Sequence, residues 1–252
     1  KEMKNLIYIV SIDHDSSTIK NSSYATYCIK TWKYWCNKHN IDLMVITEHD
    51  ERFGRPIWNK ELVYEKAKEY DKIGVIDSDT MIHWNAPNIF DSVTDEICGV
   101  PDTGDFRWIL NSLDVYGDHF FPEWEKPEVS EYFNAGVLFF HNKYLDVFKQ
   151  VLDFYLDNQP ELDAWNKGGG REQTILNYFM KRNNVKKKEL VHEWNLVGIH
   201  KKDMFKHNWQ LDEDKTPYFI KYAYVWHFTG FGAEHREKLM KQTWETVKHN
   251  YE

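Results

Sequence analysis

Cysteine is scarce in this 252-residue chain: Cys28, Cys36 and Cys98 form an odd set without the paired spacing of a zinc finger or a disulfide framework. A stapled secreted scaffold is therefore excluded as the organising device, and the three read as buried free thiols in a reducing, cytoplasmic setting. Cys28 and Cys36 fall two helical turns apart and are poorly placed to bridge. Long apolar runs are also missing. The longest near the start, positions 6–10, is far short of the ~20 residues that cross a bilayer, and no signal-peptide pattern surrounds it, so no transmembrane segment is expected. Basic excess is absent as well, with 40 acids against 32 bases and a net charge of −8, which removes the electrostatic ground for nucleic-acid binding. The densest basic run, Lys186-Lys187-Lys188, reads as a solvated turn ahead of a strand. No Ser/Gly/Pro-rich linker divides the chain, so one domain over 1–252 is expected.

What the chain does have is aromatic residues, 11 Trp, 15 Tyr and 15 Phe, a load heavier than a core demands. Flat apolar rings with polar tips suit the faces of sugars and bases. It also has Lys72-Ile73-Gly74-Val75-Ile76-Asp77-Ser78-Asp79-Thr80, a short apolar run ending in two carboxylates one residue apart. Side chains alternate along an extended backbone, so Asp77 and Asp79 point one way and can share a cation. Positions 58–70 before it carry apolar residues at helical spacing. Helix, strand and acidic loop in that order belong to an α/β sheet, whose ligands sit beyond the carboxyl ends of the strands.

In chain order, positions 6–12 form a nearly continuous apolar strand, 24–39 a helix with Tyr24, Cys28, Trp32, Trp35 and Cys36 on one stripe, and 41–47 a second strand. This β-α-β unit starts a mostly parallel sheet, so the first third of the chain reads as an open α/β sheet of the nucleotide-binding kind. Positions 81–90 read as a loop, 96–100 as a short strand, and 101–130 as a long aromatic loop able to wall or cover a site. The sheet resumes at Tyr132-Phe133-Asn134-Ala135-Gly136-Val137-Leu138. Amphipathic helices are expected over 143–158, 171–182 and 233–249, and a β-rich run over 218–228.

With Asp77-Ser78-Asp79, Asn134-Ala135-Gly136, Glu172-Gln173-Thr174 and His227-Phe228-Thr229-Gly230 in this order, the chain resembles the metal-dependent GT-A glycosyltransferases of the family-8 type, which includes glycogenin and the bacterial lipopolysaccharide galactosyltransferases. The resemblance implies a single GT-A domain, 1–80 its nucleotide-binding half and 81–252 its acceptor half with a C-terminal metal-ligand segment. Such a domain moves a sugar from a nucleotide-sugar donor, a UDP-sugar foremost, to a glycan or other hydroxyl acceptor with retention of configuration. It assigns Asp77, Asp79 and His227 to a divalent cation, Mn²⁺ or Mg²⁺, a set of oxygen and imidazole donors that suits Mn²⁺. It assigns Asn134, Glu172 and Gln173 to the donor sugar and the reacting carbon. Ser11, Asp13, Tyr24, Lys60, Ser78, Ala135, Gly136 and Gly230 would contact the nucleotide and diphosphate. Three departures stand out: Ala233 occupies the position of the phosphate-binding lysine, with His235 or Arg236 a turn further on as substitutes; Thr174 replaces a third acid; and an insertion separates Asp13 from Tyr24. Two other readings use the same residues. A phosphatase of the haloacid dehalogenase type also places Asp-x-Asp after a strand, and a carbohydrate-binding protein with a decayed site would account for Ala233.

Overall fold

A computed structural model describes residues 3–12, 24–200 and 216–252. Its centre is a six-stranded sheet in which β1 (Asn5–Val10), β2 (Asp42–Ile46), β3 (Lys72–Asp77), β5 (Ile97–Pro101), β6 (Phe133–His141) and β7 (Lys187–Glu189) lie in the order β2-β1-β3-β6-β5-β7. The β2-β1-β3 and β5-β7 neighbours are parallel and β6 runs against both of its own, so the α/β sheet is mostly parallel, as expected. A separate two-stranded ribbon pairs β4 (Thr80–Ile82) with β8 (Val225–His227).

Alternation along β1 sorts the core. Leu6 and Tyr8 face one apolar layer, built with α4 (Leu145–Asp157) and α6 (Arg171–Arg182); Ile7 and Ile9 face the other, under α1 (Ala25–His39), whose Trp32 and Trp35 are fully buried. Each such large side chain withdraws roughly 1.5–3 kcal/mol worth of apolar surface from water. The three cysteines are buried in the second layer. Among the described residues no helix is long and apolar enough to cross a membrane.

Antiparallel β6 has a positional consequence. Ile76 pairs with Val137, so the start of β6 lies beside the end of β3, and the end of β5 lies at the same rim. Residues entering one strand and leaving two others therefore converge on one edge.

Several expectations need correction. The 101–130 segment is not an irregular loop, because α3 (Phe106–Phe120) occupies its middle and buries Ile109, Ser112, Leu113 and Tyr116 along one face, with Asp105 capping its start. Apolar i, i+4 spacing was present there, but the density of rings masked it. Positions 58–70 are mainly a 3-10 helix, Pro56–Leu62, followed by the single α turn Val63–Lys66. The 81–90 loop begins inside β4, and 218–228 opens with a helix, Tyr218–Tyr222, before β8. Lys187 and Lys188 lie in edge strand β7 rather than in a turn.

Gly74 sits in β3 where a Cβ would come within 2.6 Å of Ile7 Cδ1 and 2.9 Å of Phe139 Cδ1. Gly74→Val is expected to cost about 1–3 kcal/mol through overpacking, lowering Tm by roughly 2–4 °C for each kcal/mol. An unchanged melting curve would show that the sheet can absorb the added carbons.

Candidate active site

β3 ends at Asp77, and a tight turn carries the chain through Ser78 and Asp79 to Thr80. The turn is fastened from inside: Thr80 Oγ1 donates to the Asp77 carbonyl at 2.9 Å and accepts from the Trp32 indole at 3.0 Å. Antiparallel pairing then sets Thr80 opposite His227, and Phe228 N–H donates to the Asp79 carbonyl at 2.9 Å. This ribbon brings a residue from near the end of the chain to the acids. His227 Nε2 lies 3.1 Å from Asp79 Oδ1 and 3.9 Å from Asp77 Oδ2, and one ligand atom from each of the three lies within 4.8 Å of the others.

The ring is oriented by a relay that starts from a charge. Asp102, at the exit of β5, can only accept when ionised; its Oδ2 accepts from Asn134 Nδ2 at 3.0 Å and from Gln173 Nε2 at 3.2 Å. That turns Asn134 Oδ1 toward Gly136 N–H and toward Asn195 Nδ2, at 2.9 and 3.0 Å. Asn195 Oδ1 is then the atom facing His227 Nδ1, 2.8 Å away, so Nδ1 carries the hydrogen. In the neutral ring the lone pair is left on Nε2, aimed at the two carboxylates. A metal-ligating histidine needs this second hydrogen bond to fix its tautomer. The donor set, its spacing and the oriented ring fit a divalent cation such as Mn²⁺ or Mg²⁺.

Gly136 makes room for the cluster. A Cβ there would fall 2.4 Å from His227 Cε1, 2.7 Å from Asp77 Oδ2 and 3.0 Å from Asn134 Oδ1, so no larger residue fits without moving all three.

Two fixed cations flank the acids. Lys60, only 4 % exposed, reaches Asp77 Oδ1 at 2.6 Å and Glu172 Oε1 at 3.3 Å, and donates to the Ala135 carbonyl at 3.4 Å. Burial alone would lower its pKa, but Asp77 and Glu172 outweigh that and raise it, so the ammonium stays charged. Arg236 places Nε 3.4 Å from Asp79 Oδ2 while donating to the carbonyls of Phe228 and Phe231. Burial works against ionisation of Asp79, yet His227, Arg236 and Lys60 hold its pKa below the usual carboxylate range; the same pairing raises that of His227 against the pull of burial. Burial pushes the Glu172 pKa upward, assisted by Asp77 and opposed by Lys60.

Two cavities meet at this cluster, sharing Asp77 and Ile57. The larger, about 420 Å³, is lined among others by Asp102, Trp108, Asn134, Glu172, Gln173, His227 and Gly230. The smaller, about 250 Å³, is lined by Val10, Ile12, Tyr24, Lys60, Ser78 and Asp79. Most residues singled out from sequence thus gather at one rim. Ala135 is buried behind it, accepting from Lys60 and donating its N–H to Gln173 Oε1 at 2.9 Å. Ser11 is tied by its backbone N–H to Ile46, and its neighbours Val10 and Ile12 line the smaller cavity. Asp13 lies outside the described residues.

Sequence reasoning missed Asp102, Asn195 and Glu61. Asp102 carried the same signal as Asp77, an acid at the end of an apolar strand; Asn195, in a connecting segment, carried none.

The architecture defines a class, the α/β GT-A glycosyltransferase fold. Among the solved structures similar to this chain are a glycosyltransferase involved in the glycosylation of the major capsid of PBCV-1, with TM-score 0.56 and 14 % identity over 95 % of this chain and 99 % of that one, and the apo WbbM bifunctional glycosyltransferase, also with TM-score 0.56 and 14 % identity, over 100 % of this chain and 52 % of that one. This chain spans about half the length of the second. No protein-family model and no curated protein matches the sequence.

Glu61 is fully buried beside Lys60, and neither of its carboxyl oxygens has a partner among the described residues. Burial first, and Glu172 second, raise its pKa well above the ordinary value, against Lys60. The folded state therefore holds a proton that the unfolded chain releases, and stability falls as pH rises above the ordinary glutamate value toward the folded one. Glu61→Gln should remove that slope, raising Tm by a few degrees at pH 8 relative to the parent and little at pH 4. Parallel Tm–pH curves for the two proteins would contradict this account.

Proposed function

We propose that the protein is a divalent-cation-dependent glycosyltransferase of family-8 character, moving a sugar from a UDP-sugar to an acceptor hydroxyl with retention of configuration. The observation that carries the reading is the Asp77–Asp79–His227 cluster at the junction of two cavities. These three residues would hold the cation, Mn²⁺ foremost. When bound, such an ion neutralises the charge that grows on a leaving diphosphate.

The chain's own residues account for the rest. Lys60 keeps a permanent positive charge against Asp77 and Glu172. Tyr24 and Ser78 line the smaller cavity, which would take the nucleoside. Asn134, Glu172 and Gln173 line the larger one, which would take the donor sugar. In the transfer, the bond from the anomeric carbon to the diphosphate oxygen breaks, the acceptor oxygen bonds to that carbon, and the acceptor proton passes to the departing diphosphate. Glu172 and Gln173 would stabilise the positive sugar as it separates.

A thermal-shift screen of nucleotides and nucleotide sugars tests this. UDP with Mn²⁺ is expected to raise Tm by about 5 °C or more at saturating ligand, and UDP alone by much less. Asp79→Asn and His227→Ala should lose the Mn²⁺-dependent part. Asn195→Ala, which releases the ring at Nδ1, should weaken Mn²⁺ binding by about 10–100-fold. A full set of nucleotides that leaves Tm unmoved with Mn²⁺ present would refute the reading.

A further inference from the structure

Each acid of the cluster has one of its two oxygens already engaged by a cation of the protein's own. Asp77 Oδ1 is held by the Lys60 ammonium at 2.6 Å, while Oδ2 lies 3.9 Å from His227 Nε2. Asp79 repeats the pattern, with Oδ2 3.4 Å from Arg236 Nε and Oδ1 3.1 Å from the same imidazole nitrogen. Both cations are tied in place. Lys60 is buried and also donates to the Ala135 carbonyl, and Arg236 is fastened to the carbonyls of Phe228 and Phe231. Glu172 shares the Lys60 ammonium at 3.3 Å, so three carboxylates stand against two fixed cations.

Such a cluster is a poor trap for a free divalent ion. One ligand atom from each of Asp77, Asp79 and His227 lies within 4.8 Å of the others, but most of the negative charge behind them is offset by Lys60 and Arg236. A hard ion held by one or two carboxylates draws its remaining oxygens from water and from substrate phosphates. The smaller cavity is lined by Lys60, Asp77, Ser78, Asp79 and Tyr24, and the Arg236 guanidinium lies 5.4 Å from the centroid of the Tyr24 ring. A diphosphate entering there would meet both fixed cations and draw them off the acids. Its own negative charge would supply what the cluster lacks.

We propose that Lys60 and Arg236 are built-in competitors that keep a free divalent cation from binding at Asp77, Asp79 and His227, so that cation and diphosphate are taken up as a pair. Lys60 then has two tasks: it guards Asp77 until the diphosphate arrives, and it binds a phosphate oxygen afterwards. This rests on the transferase reading and names how its site is regulated.

Titration of Mn²⁺ into the full chain, followed by the electron paramagnetic resonance of the unbound ion, tests this with and without UDP. The parent should bind Mn²⁺ alone weakly; UDP should tighten it by about 30–100-fold, and Mn²⁺ should tighten UDP by the same factor. Lys60→Met keeps the buried stem and removes the ammonium. It should bind Mn²⁺ alone about tenfold tighter than the parent, and UDP in the presence of Mn²⁺ about tenfold more weakly. Arg236→Gln releases Asp79 Oδ2 and should also tighten Mn²⁺ alone, which carries the test if Lys60→Met does not fold. A purely structural role for these cations predicts the reverse. Unchanged or weaker Mn²⁺ binding in the variants that fold, or equal Mn²⁺ affinity in the parent with and without UDP, would overturn the proposal. Should the UDP–Mn²⁺ thermal shift persist in that case, the transferase reading stands, whereas its absence would remove both.

Discussion

The site depends on keeping three carboxylates together in a half-dry cleft. Asp77, Asp79 and Glu172 are opposed by two fixed cations, Lys60 and Arg236, and by an imidazole. Like charges at such separations repel strongly when water is scarce, and each unpaired ion would neutralise itself by taking up a proton. Lys60 opposes this at Glu172, and its ammonium sits between Asp77 and Glu172. Lys60 is buried for this from the 3-10 helix Pro56–Leu62. A cation arriving at the cluster would meet Asp79 held ionised, with ligand atoms of Asp77 and His227 already beside it.

Topology explains why residues so far apart in sequence can meet. In a wholly parallel sheet the start of a strand lies at the opposite rim from the acids. Reversal of β6 brings Asn134 to the end of β3, and the following reversal returns β5 so that Asp102 leaves at the same rim. The relay from Asp102 through Asn134 and Asn195 to His227 exists because these turns put an anion, two amides and a ring in line. The tautomer of His227 is therefore set by Asp102, just beyond β5, two strands further along the chain than β3.

Legibility followed the range of the interactions. β1, α1, β3 and β6 declared themselves because local spacing and apolar runs decide them. Asp77, Asp79 and His227 were readable as a group because their chemistry is shared, even though the β4–β8 ribbon that joins them left little trace in three-residue strands. Asn195 was not readable, since an amide in a connecting segment has no periodicity and its worth lies wholly in two partners from other elements. The segment over α3 failed for another reason: its aromatic residues obscured a helical stripe that packing against α6 makes plain.

Arg236 shows how a departure from a familiar pattern can keep its physics. Ala233 stands where a lysine would be expected, and the terminal helix that begins there supplies the guanidinium one turn later. Its Nε and Nη2 donate to the carbonyls of Phe228 and Phe231, which bracket Thr229 and Gly230, while Nε also approaches Asp79. A lysine is a flexible point charge, whereas the planar fork of an arginine can hold a loop and offset an acid together. Positive charge is thus retained beside the cluster, and it is spent on fixing the loop after His227 as well as on balancing Asp79. The glycine at 230, with φ 80°, allows that loop to turn tightly enough for both contacts to form.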